Sequence, residues 1–173
     1  MSDRRVLCAS TAGPGGPALF VRAMQQAPLW TDWNVRHIAT HRVDSGQTMK
    51  VVVFARGTAL FAAALIRSRP YLVHLHTVGK TGSFSRNAIL AWMSRLARVP
   101  VILHVHASTF DAFYKSSPPP VRSLIRATLS RVDAVATLDE GPAINMRAMA
   151  PHARVVVVPD ATQLDALYRE VSR

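Results

Sequence analysis

The stretch LVHLHTVGKTGSFSRNAILAWMSRLARVPVILHVH, residues 72–106, contains the pattern that decides the fold: an apolar run, a polar loop, a helical segment and a second apolar run. The apolar runs at 72–76 and 101–106 are mostly aliphatic, as in strands that are covered on both faces. A helix that joins two such strands predicts a right-handed crossover within a parallel sheet.

The same alternation of strands and helices continues along the whole chain. Strands are predicted at 6–9, 34–39, 72–76, 101–106, 134–138 and 155–158, and helices at 17–27, 49–68, 84–98, 119–131, 140–149 and 163–172. We therefore expect an α/β fold, a Rossmann-like doubly wound parallel sheet of about six strands with helices on both faces, in one domain over residues 1–160. Sheets of this kind bind ligands at the loops that follow the strands.

The charge of the chain is strongly positive. Lys and Arg number 21 against 10 Asp and Glu, which gives a formal net charge of +11 over 173 residues. This balance indicates an anionic partner, which can be a nucleic acid, an anionic membrane surface or a phosphorylated ligand. An ordinary solubilising surface explains it equally well.

Cysteine content and hydropathy bear on the location. Cys8 is the single cysteine, so a disulfide framework is excluded and a reducing, cytoplasmic setting is expected. No secretory signal opens the chain. The most apolar segment, 51–66, is shorter than a membrane span and contains Arg56 and Gly57, so we predict a buried helix in a soluble or peripheral protein.

The triplet Gly79-Lys80-Thr81 matches the last three residues of a Walker A motif. That motif requires a glycine five residues before its second glycine, so that the loop can fold its N–H groups around the phosphates. The corresponding residue is His74, inside a predicted strand. A triphosphate loop is therefore not expected here.

Residues 13–18 match the dinucleotide fingerprint G-x-G-x-x-A directly after the first strand. The match contains two prolines, which lack N–H groups for a pyrophosphate, and the second strand ends in His41 and Arg42 instead of an acidic residue. NADP remains an alternative, with Arg42 on the 2′-phosphate. Gly15 and Gly16 equally suit the close approach of a sugar diphosphate to a helix start, or a simple tight turn.

Four histidines form two His-x-His pairs, at His74 and His76 and at His104 and His106. Each pair lies on one face of its strand, so four imidazoles gather if the strands are neighbours. A zinc site is not expected, because neither strand adds a cysteine or carboxylate and structural zinc sites usually lie on loops. We expect hydrogen-bonded core histidines and no metal, with His106, at the carboxyl edge, as the main functional candidate.

The segment YLVHLHTVGKTGSFSRNAILAWMSRLARVPVILHVHASTFDAFY, 71–114, resembles the N-terminal half of GT-B glycosyltransferases of the family-4, "group 1" type, particularly those that build exopolysaccharides on lipid carriers. The shared pattern is a strand that ends in His-x-His, a loop with Ser-Phe-x-Arg, a helix, a second strand that ends in His-x-His, and Phe-Asp-x-Phe-Tyr. VDAVATLDE at 132–140 and RVVVVPDAT at 154–162 are similar to later parts of the same domain.

The resemblance implies retaining transfer of a sugar from a nucleotide sugar to a lipid-linked or polysaccharide acceptor, with no metal or other cofactor. It implies that His106 contacts the donor sugar at the reacting centre, and that Gly15 and Gly16 approach the donor. The residues that the resemblance assigns to the acceptor are Lys80, Ser83, Arg86 and Asp111. We expect the loop GKTGSF, 79–84, to recognise a diphosphate through Lys80, the N–H groups at the start of the following helix and Arg86.

The chain departs from the family pattern in several places. The second domain, with its paired glutamates and a basic pair that grips the nucleotide, is not in this sequence. Residues 159–161 are Pro-Asp-Ala where the family favours Pro-Asn-Gly, and Asp139 replaces a small hydroxyl residue. We expect residues 161–173 to lead towards a donor domain, and the chain to be inactive without one, whether as an excised half, a natural fragment or a subunit of a split enzyme.

Two of the predicted helices are basic and amphipathic. In the helix 84–98 we predict an apolar stripe of Ala88, Ile89, Trp92, Met93 and Leu96 opposite Asn87, Arg95 and Arg98, while Arg122 and Arg126 share a face of the helix 119–131. The predicted membrane-facing residues are Arg95, Arg98, Arg122 and Arg126, on a protein peripheral to the inner face of the plasma membrane. A solvated outer face is the alternative.

Nucleic acid is not expected as a partner, because the few aromatic residues are not interleaved with basic ones. Two other functions remain open besides glycosyl transfer: a non-catalytic partner subunit or membrane adaptor of a split enzyme, and an NADP-binding protein.

Overall fold

Six parallel strands form one sheet, in the order β2-β1-β3-β4-β5-β6. The computed structural model describes residues 5–12, 15–42, 46–106, 109–159 and 161–172. The strands are β1 (Val6–Ala12), β2 (Arg36–Arg42), β3 (Leu72–Thr77), β4 (Val101–Val105), β5 (Ala134–Thr137) and β6 (Val155–Val157). The predicted doubly wound parallel sheet is confirmed, and the strand order reverses between β1 and β3.

Helices cover both faces of this sheet. They are α1 (Gly16–Gln26), α2 (Pro28–Asp32), α3 (Gln47–Ser68), α4 (Thr81–Leu96), α5 (Phe110–Ser116), α6 (Pro119–Leu129), α7 (Glu140–Met149) and α8 (Leu164–Val171). One buried core joins the sheet to α3, α4, α5, α6 and α7, and a second joins the opposite face to α1, α2 and α8. The two cores are what a sheet covered on both sides requires.

The helix α3 is largely exposed, and the prediction of a buried helix is wrong. It packs mainly on the edge strand β2, so only one stripe reaches the sheet, at Gly57, Phe61, Ala64 and Leu65. Ile66 is 77% exposed. The segment Thr48–Ser68 is long and apolar enough to cross a membrane by length and composition, with 22% of its most apolar window buried. A core helix passes the same test, so this alone does not show a membrane span.

The apolar stripe predicted for α4 is also partly wrong. The helix begins at Thr81, and its buried face contains Phe84, Asn87 and Ala91. Asn87 is buried because its Nδ2 donates a hydrogen bond to the carbonyl of Ser83 at 3.0 Å. Leu96, at the end of the helix, is 83% exposed.

The short helices α2 and α5 were not predicted, because five and seven residues are too few to show a helical period. Residues 161–172, which are predicted to lead towards a donor domain, pack onto the sheet. Tyr168 of α8 is completely buried, and the indole N–H of Trp33 donates to Asp165 Oδ1 at 2.7 Å. Residue 160, in the predicted junction, lies outside the described residues.

Candidate functional site

A cleft of about 860 Å³ opens at the carboxyl edge of the sheet, beside the ends of β1 and β3. The strand order reverses at this point, which is where doubly wound sheets bind ligands. Five predicted site residues line the cleft: Gly15, Gly16, Lys80, Ser83 and Arg86. The structure therefore brings most of the predicted donor and acceptor residues together.

The first turns of three helices contribute to the walls of this cleft. Gly15 and Gly16 begin α1, Lys50 lies early in α3, and Lys80 is the N-cap residue of α4. Within the part of the chain that the structure describes, none of these three helices has a side-chain hydrogen bond at its N-cap. Uncapped N–H groups and the positive end of a helix dipole both favour an anion.

Four basic side chains line the cleft: His41, Lys50, Lys80 and Arg86. Burial lowers the pKa of His41, and the charges of Arg86 and Lys50 lower it further. The Nδ1 atom of His41 is buried and has no hydrogen-bond partner among the described residues. Of the described residues that line the cleft, none is acidic. The charged side chains that line the cleft in the described part of the chain are therefore all basic.

The start of α4 is held against the end of β3 by short polar contacts. The backbone N–H of Val78 donates to Ser83 Oγ at 3.4 Å, and the same oxygen lies 3.4 Å from Thr77 Oγ1. One turn later, Arg86 is half-buried, and burial lowers the pKa of its guanidinium. Ser83 and Arg86, predicted to lie in a loop, are therefore in the first turns of α4 and form part of the cleft wall.

One side of the cleft is apolar. Val51 and Phe54 of α3, Val78 after β3, and Ile89 of α4 line it together. Val51 and Ile89 are 61% and 47% exposed, so this wall continues onto the outer surfaces of α3 and α4. Basic and apolar side chains therefore both line the cleft.

His106 lies at the same carboxyl edge, but it is not among the residues that line the cleft. Its backbone N–H donates to the Thr77 carbonyl at 2.8 Å, and its Nε2 lies 2.8 Å from His76 Nδ1. Its ring packs against Phe20 of α1, with ring centroids 5.1 Å apart. Burial lowers the pKa of His106 to about 4, so its imidazole is neutral at pH 7.

The other three strand histidines lie in the interior behind His106. The Nε2 of His74 is 3.3 Å from His104 Nδ1, and its Nδ1 is 2.6 Å from the Tyr168 hydroxyl. Burial first, and then the neighbouring histidines, lower the pKa values of His74, His76 and His104 well below 6.5. They are neutral, hydrogen-bonded residues of the core.

Asp111 is not brought to the cleft. It lies in the first turn of α5, and its carboxylate forms an ion pair with Lys115 at 2.7 Å. The residue contacts its own helix and does not line the cleft, so the geometry gives no support to an acceptor role. The Phe-Asp-x-Phe-Tyr motif acts mainly through its aromatic rings, because Phe110 packs against Phe84.

The four arginines expected to face a membrane differ in their surroundings. Arg95 binds both carboxylate oxygens of Asp133, at 2.9 and 3.0 Å, and Arg122 donates from Nε to the Ser117 carbonyl at 2.9 Å. Arg98 follows the end of α4 with a positive φ of 58°. Arg98 and Arg126 are exposed.

Lys50 was missed as a site residue, and His41 was considered only as part of a nucleotide site. Both belong to the cleft because β2 and α3 lie beside β1. Their positions could have indicated this from the sequence, because His41 lies at the end of a strand and Lys50 near the start of the helix that follows.

Comparison with known proteins agrees with this architecture. The sequence model of a family described as "Glycosyl transferase 4-like domain" matches residues 3–161. A search of curated protein sequences found no match. Among solved structures, sucrose-phosphate synthase from Thermosynechococcus elongatus superposes with a TM-score of 0.64 at 12% sequence identity. The match covers 90% of this chain and 48% of that protein, so the chain spans about half of its length.

Proposed function

This chain belongs to the glycosyl transferase 4-like domain family, and from that membership we propose that it is the acceptor-side, N-terminal domain of a retaining glycosyltransferase. The reaction moves a sugar from a nucleotide sugar to an acceptor hydroxyl. The bond from the anomeric carbon to the nucleotide diphosphate breaks, a bond to the acceptor oxygen forms, and the acceptor proton leaves with the diphosphate.

The observation that carries the proposal is the positive cleft at the β1–β3 switch point. The N-termini of α1 and α4 and four basic side chains, among them Lys50 of α3, meet there. A diphosphate satisfies such a site, because it accepts hydrogen bonds from several N–H groups and charged donors at once. In this proposal Lys80, Arg86 and Lys50 bind the diphosphate of the acceptor, with His41 beside them.

The apolar wall favours a lipid-linked acceptor over a free polysaccharide. Val51, Phe54 and Ile89 would contact the first part of a lipid chain next to the diphosphate. The exposed apolar surface of α3 would continue this contact at an anionic membrane, with support from exposed basic residues such as Arg56. We therefore propose a peripheral protein at the inner face of the plasma membrane, which contacts it through α3 as well as the basic end of α6.

His106 is proposed to contact the donor sugar. Its ring is neutral and is oriented by His76, so it can exchange hydrogen bonds with sugar hydroxyls without adding charge next to the reacting carbon. Gly15 and Gly16 leave room for the donor beside α1, since a Cβ added at either position would meet no atom within 4 Å. The nucleotide itself would be bound by a donor domain, and we expect no turnover without one.

Ligand binding by the 173-residue chain tests the cleft assignment. Farnesyl diphosphate should bind, whereas farnesol, NADP and UDP-glucose should bind much more weakly in calorimetric titrations. Lys80→Ala and Arg86→Ala should each weaken the binding of farnesyl diphosphate by about 10-fold or more, because each removes a charged hydrogen-bond donor. Arg67→Ala, an exposed arginine near the end of α3, is the matched control. Equal losses in all three variants, or tighter NADP binding, contradict the proposal.

Sugar transfer is tested by adding a donor domain of the same family, as a fused or separate chain. Transfer of radiolabelled sugar to the lipid diphosphate is the expected result. Lipid diphosphate binding without transfer by any such pair would instead identify a non-catalytic partner subunit.

A further inference from the structure

We propose that His74, His76 and His104, together with Cys8, form a structural site for a divalent transition-metal ion such as Zn²⁺ between β1, β3 and β4. This inference goes beyond the proposed sugar transfer, because the site lies beneath His106 and does not touch the cleft. One ligand nitrogen from each of the three histidines lies within 4.8 Å of those of the other two. No other group of this kind occurs in the part of the chain that the structure describes.

The arrangement follows from the sheet register. His76 pairs directly with His104 across β3 and β4, and His74 precedes His76 on the same face. Two nitrogens on a tetrahedral Zn²⁺ with bonds of about 2.0–2.1 Å lie about 3.3–3.4 Å apart. The Nε2 of His74 and the Nδ1 of His104 are 3.3 Å apart in a hydrogen bond. An ion that replaced the proton between them would have two ligands at this spacing.

The third ligand explains an otherwise unsatisfied atom. His76 Nε2 is buried and has no hydrogen-bond partner among the described residues, although His76 is only 2% exposed. A buried polar nitrogen without a partner is costly. A small rotation of the His76 ring towards the His74–His104 pair would place this lone pair on the ion.

The opposite nitrogens of two of these rings already have the contacts expected of metal ligands. His76 Nδ1 lies 2.8 Å from His106 Nε2, and His74 Nδ1 lies 2.6 Å from the Tyr168 hydroxyl. A ring that binds a metal through Nε2 carries its proton on Nδ1 and donates it to such a neighbour. The ion would thus also set the tautomer of His106, since His76 would donate to its Nε2.

Cys8 is the proposed fourth ligand, because a buried dication requires a negative charge. Its sulfur is not within 4.8 Å of all three histidine nitrogens, so its side chain would have to move towards them when the ion binds. Cys8 pairs with His74 across β1 and β3, and it is completely buried in the core on the α1 and α8 side, which also contains Tyr168. On binding, the thiol proton leaves to solvent and the thiolate becomes the fourth ligand. Phe20 covers the site from α1, with its ring centroid 4.5 Å from that of His104, so the ion would enter as the chain folds.

The test uses the full chain produced in zinc-supplemented medium, with metal content measured by mass spectrometry after dialysis. We expect about one zinc per chain, and a higher unfolding temperature than after refolding in chelator. His76→Gln and His104→Gln should lower retained zinc by at least about tenfold, whereas His152→Ala, an exposed histidine after α7, should not. Substoichiometric zinc in the wild-type chain, or equal zinc in all variants, overturns the proposal.

Refolding the wild-type chain with Co²⁺ gives a readout that does not depend on variants that fold poorly. Four-coordinate binding should give the intense visible bands of tetrahedral cobalt, with a thiolate-to-cobalt band in the near ultraviolet that is lost in Cys8→Ser. The weak spectrum of octahedral cobalt would overturn the site, and tetrahedral bands without the thiolate band would overturn the assignment of Cys8.

Discussion

The Nδ1 atom of His76 lies 2.8 Å from the Nε2 atom of His106, so the ring at the carboxyl edge of β4 is held by a completely internal neighbour on β3. The backbone N–H of His106 is held as well, by the carbonyl of Thr77. The side chain proposed to contact the sugar is therefore positioned from two directions before any substrate binds.

His106→Ala should lower kcat by about 100-fold or more in the enzyme joined to a donor domain, because it removes a positioned hydrogen-bonding group next to the reacting carbon. His106→Gln should retain part of the activity. The measurement is the initial rate of sugar transfer at saturating donor, with His152→Ala as the control. Unchanged activity in His106→Ala would show that the residue is not part of the site.

Acid should destabilise the fold from about pH 6.5 downward. Burial lowers the pKa of His106 to about 4, and those of His74, His76 and His104 well below 6.5. The unfolded chain therefore binds protons at a pH where the folded chain does not. Stability is fully present above the unfolded pKa of about 6.5 and is lost as the pH falls towards 4, by up to about 1.4 kcal/mol per pH unit for each ring.

Urea unfolding at pH 7.5, 6.0 and 5.0, with chelator present throughout, measures this dependence. His106→Ala should give a smaller slope than the wild-type chain, and His152→Ala the same slope. A free energy of unfolding that does not change between pH 7.5 and 5.0 would contradict the neutral state of these histidines.

Tyr168→Phe should destabilise the fold by about 1–3 kcal/mol, because it leaves the buried Nδ1 of His74 without its partner at 2.6 Å. Tyr71→Phe is the matched control, since Tyr71 is about half exposed. Chemical denaturation of both variants checks the difference, and equal stability of the two would show that the hydroxyl of Tyr168 contributes nothing.

Gly57→Ala should destabilise the chain by about 1–3 kcal/mol, although alanine favours a helix by about 1 kcal/mol over glycine. A Cβ at this position would lie 2.8 Å from the carbonyl oxygen of Ala39 and 3.0 Å from Thr40 Cα, both of which are backbone atoms. The next residue provides the control. Thr58 Oγ1 is buried and has no hydrogen-bond partner in the described ranges of the chain, so Thr58→Ala should be neutral or stabilising. A melting temperature for Gly57→Ala at or above that of the wild-type chain would contradict the close packing of α3 on β2.

The fold was predictable because aliphatic runs and intervening helices are local signals. All six strands and the six longer helices lie where the sequence placed them, within a few residues. The burial of α3 was not predictable in the same way. Its composition is that of a core helix, but its exposure depends on the strand beneath it, and the sequence did not indicate that β2 forms the edge of the sheet.

The candidate site was predictable where a motif follows a strand, as at Gly15, Lys80 and Arg86. Lys50 was not predicted because no motif marks it. Asp111 was predicted from the resemblance, but its carboxylate forms an ion pair with Lys115. The family and fold class are confirmed, whereas the exopolysaccharide type, the retaining mechanism and the residue roles remain predictions.

The helix α8 has a practical consequence for anyone who trims this protein. Because Tyr168 and Asp165 contact His74 and Trp33, a version shortened at residue 160 would uncover the part of the buried core that α8 covers, including the rings of His74 and Trp33. Such a truncation would be expected to precipitate, even though the motifs most typical of the domain all come before it.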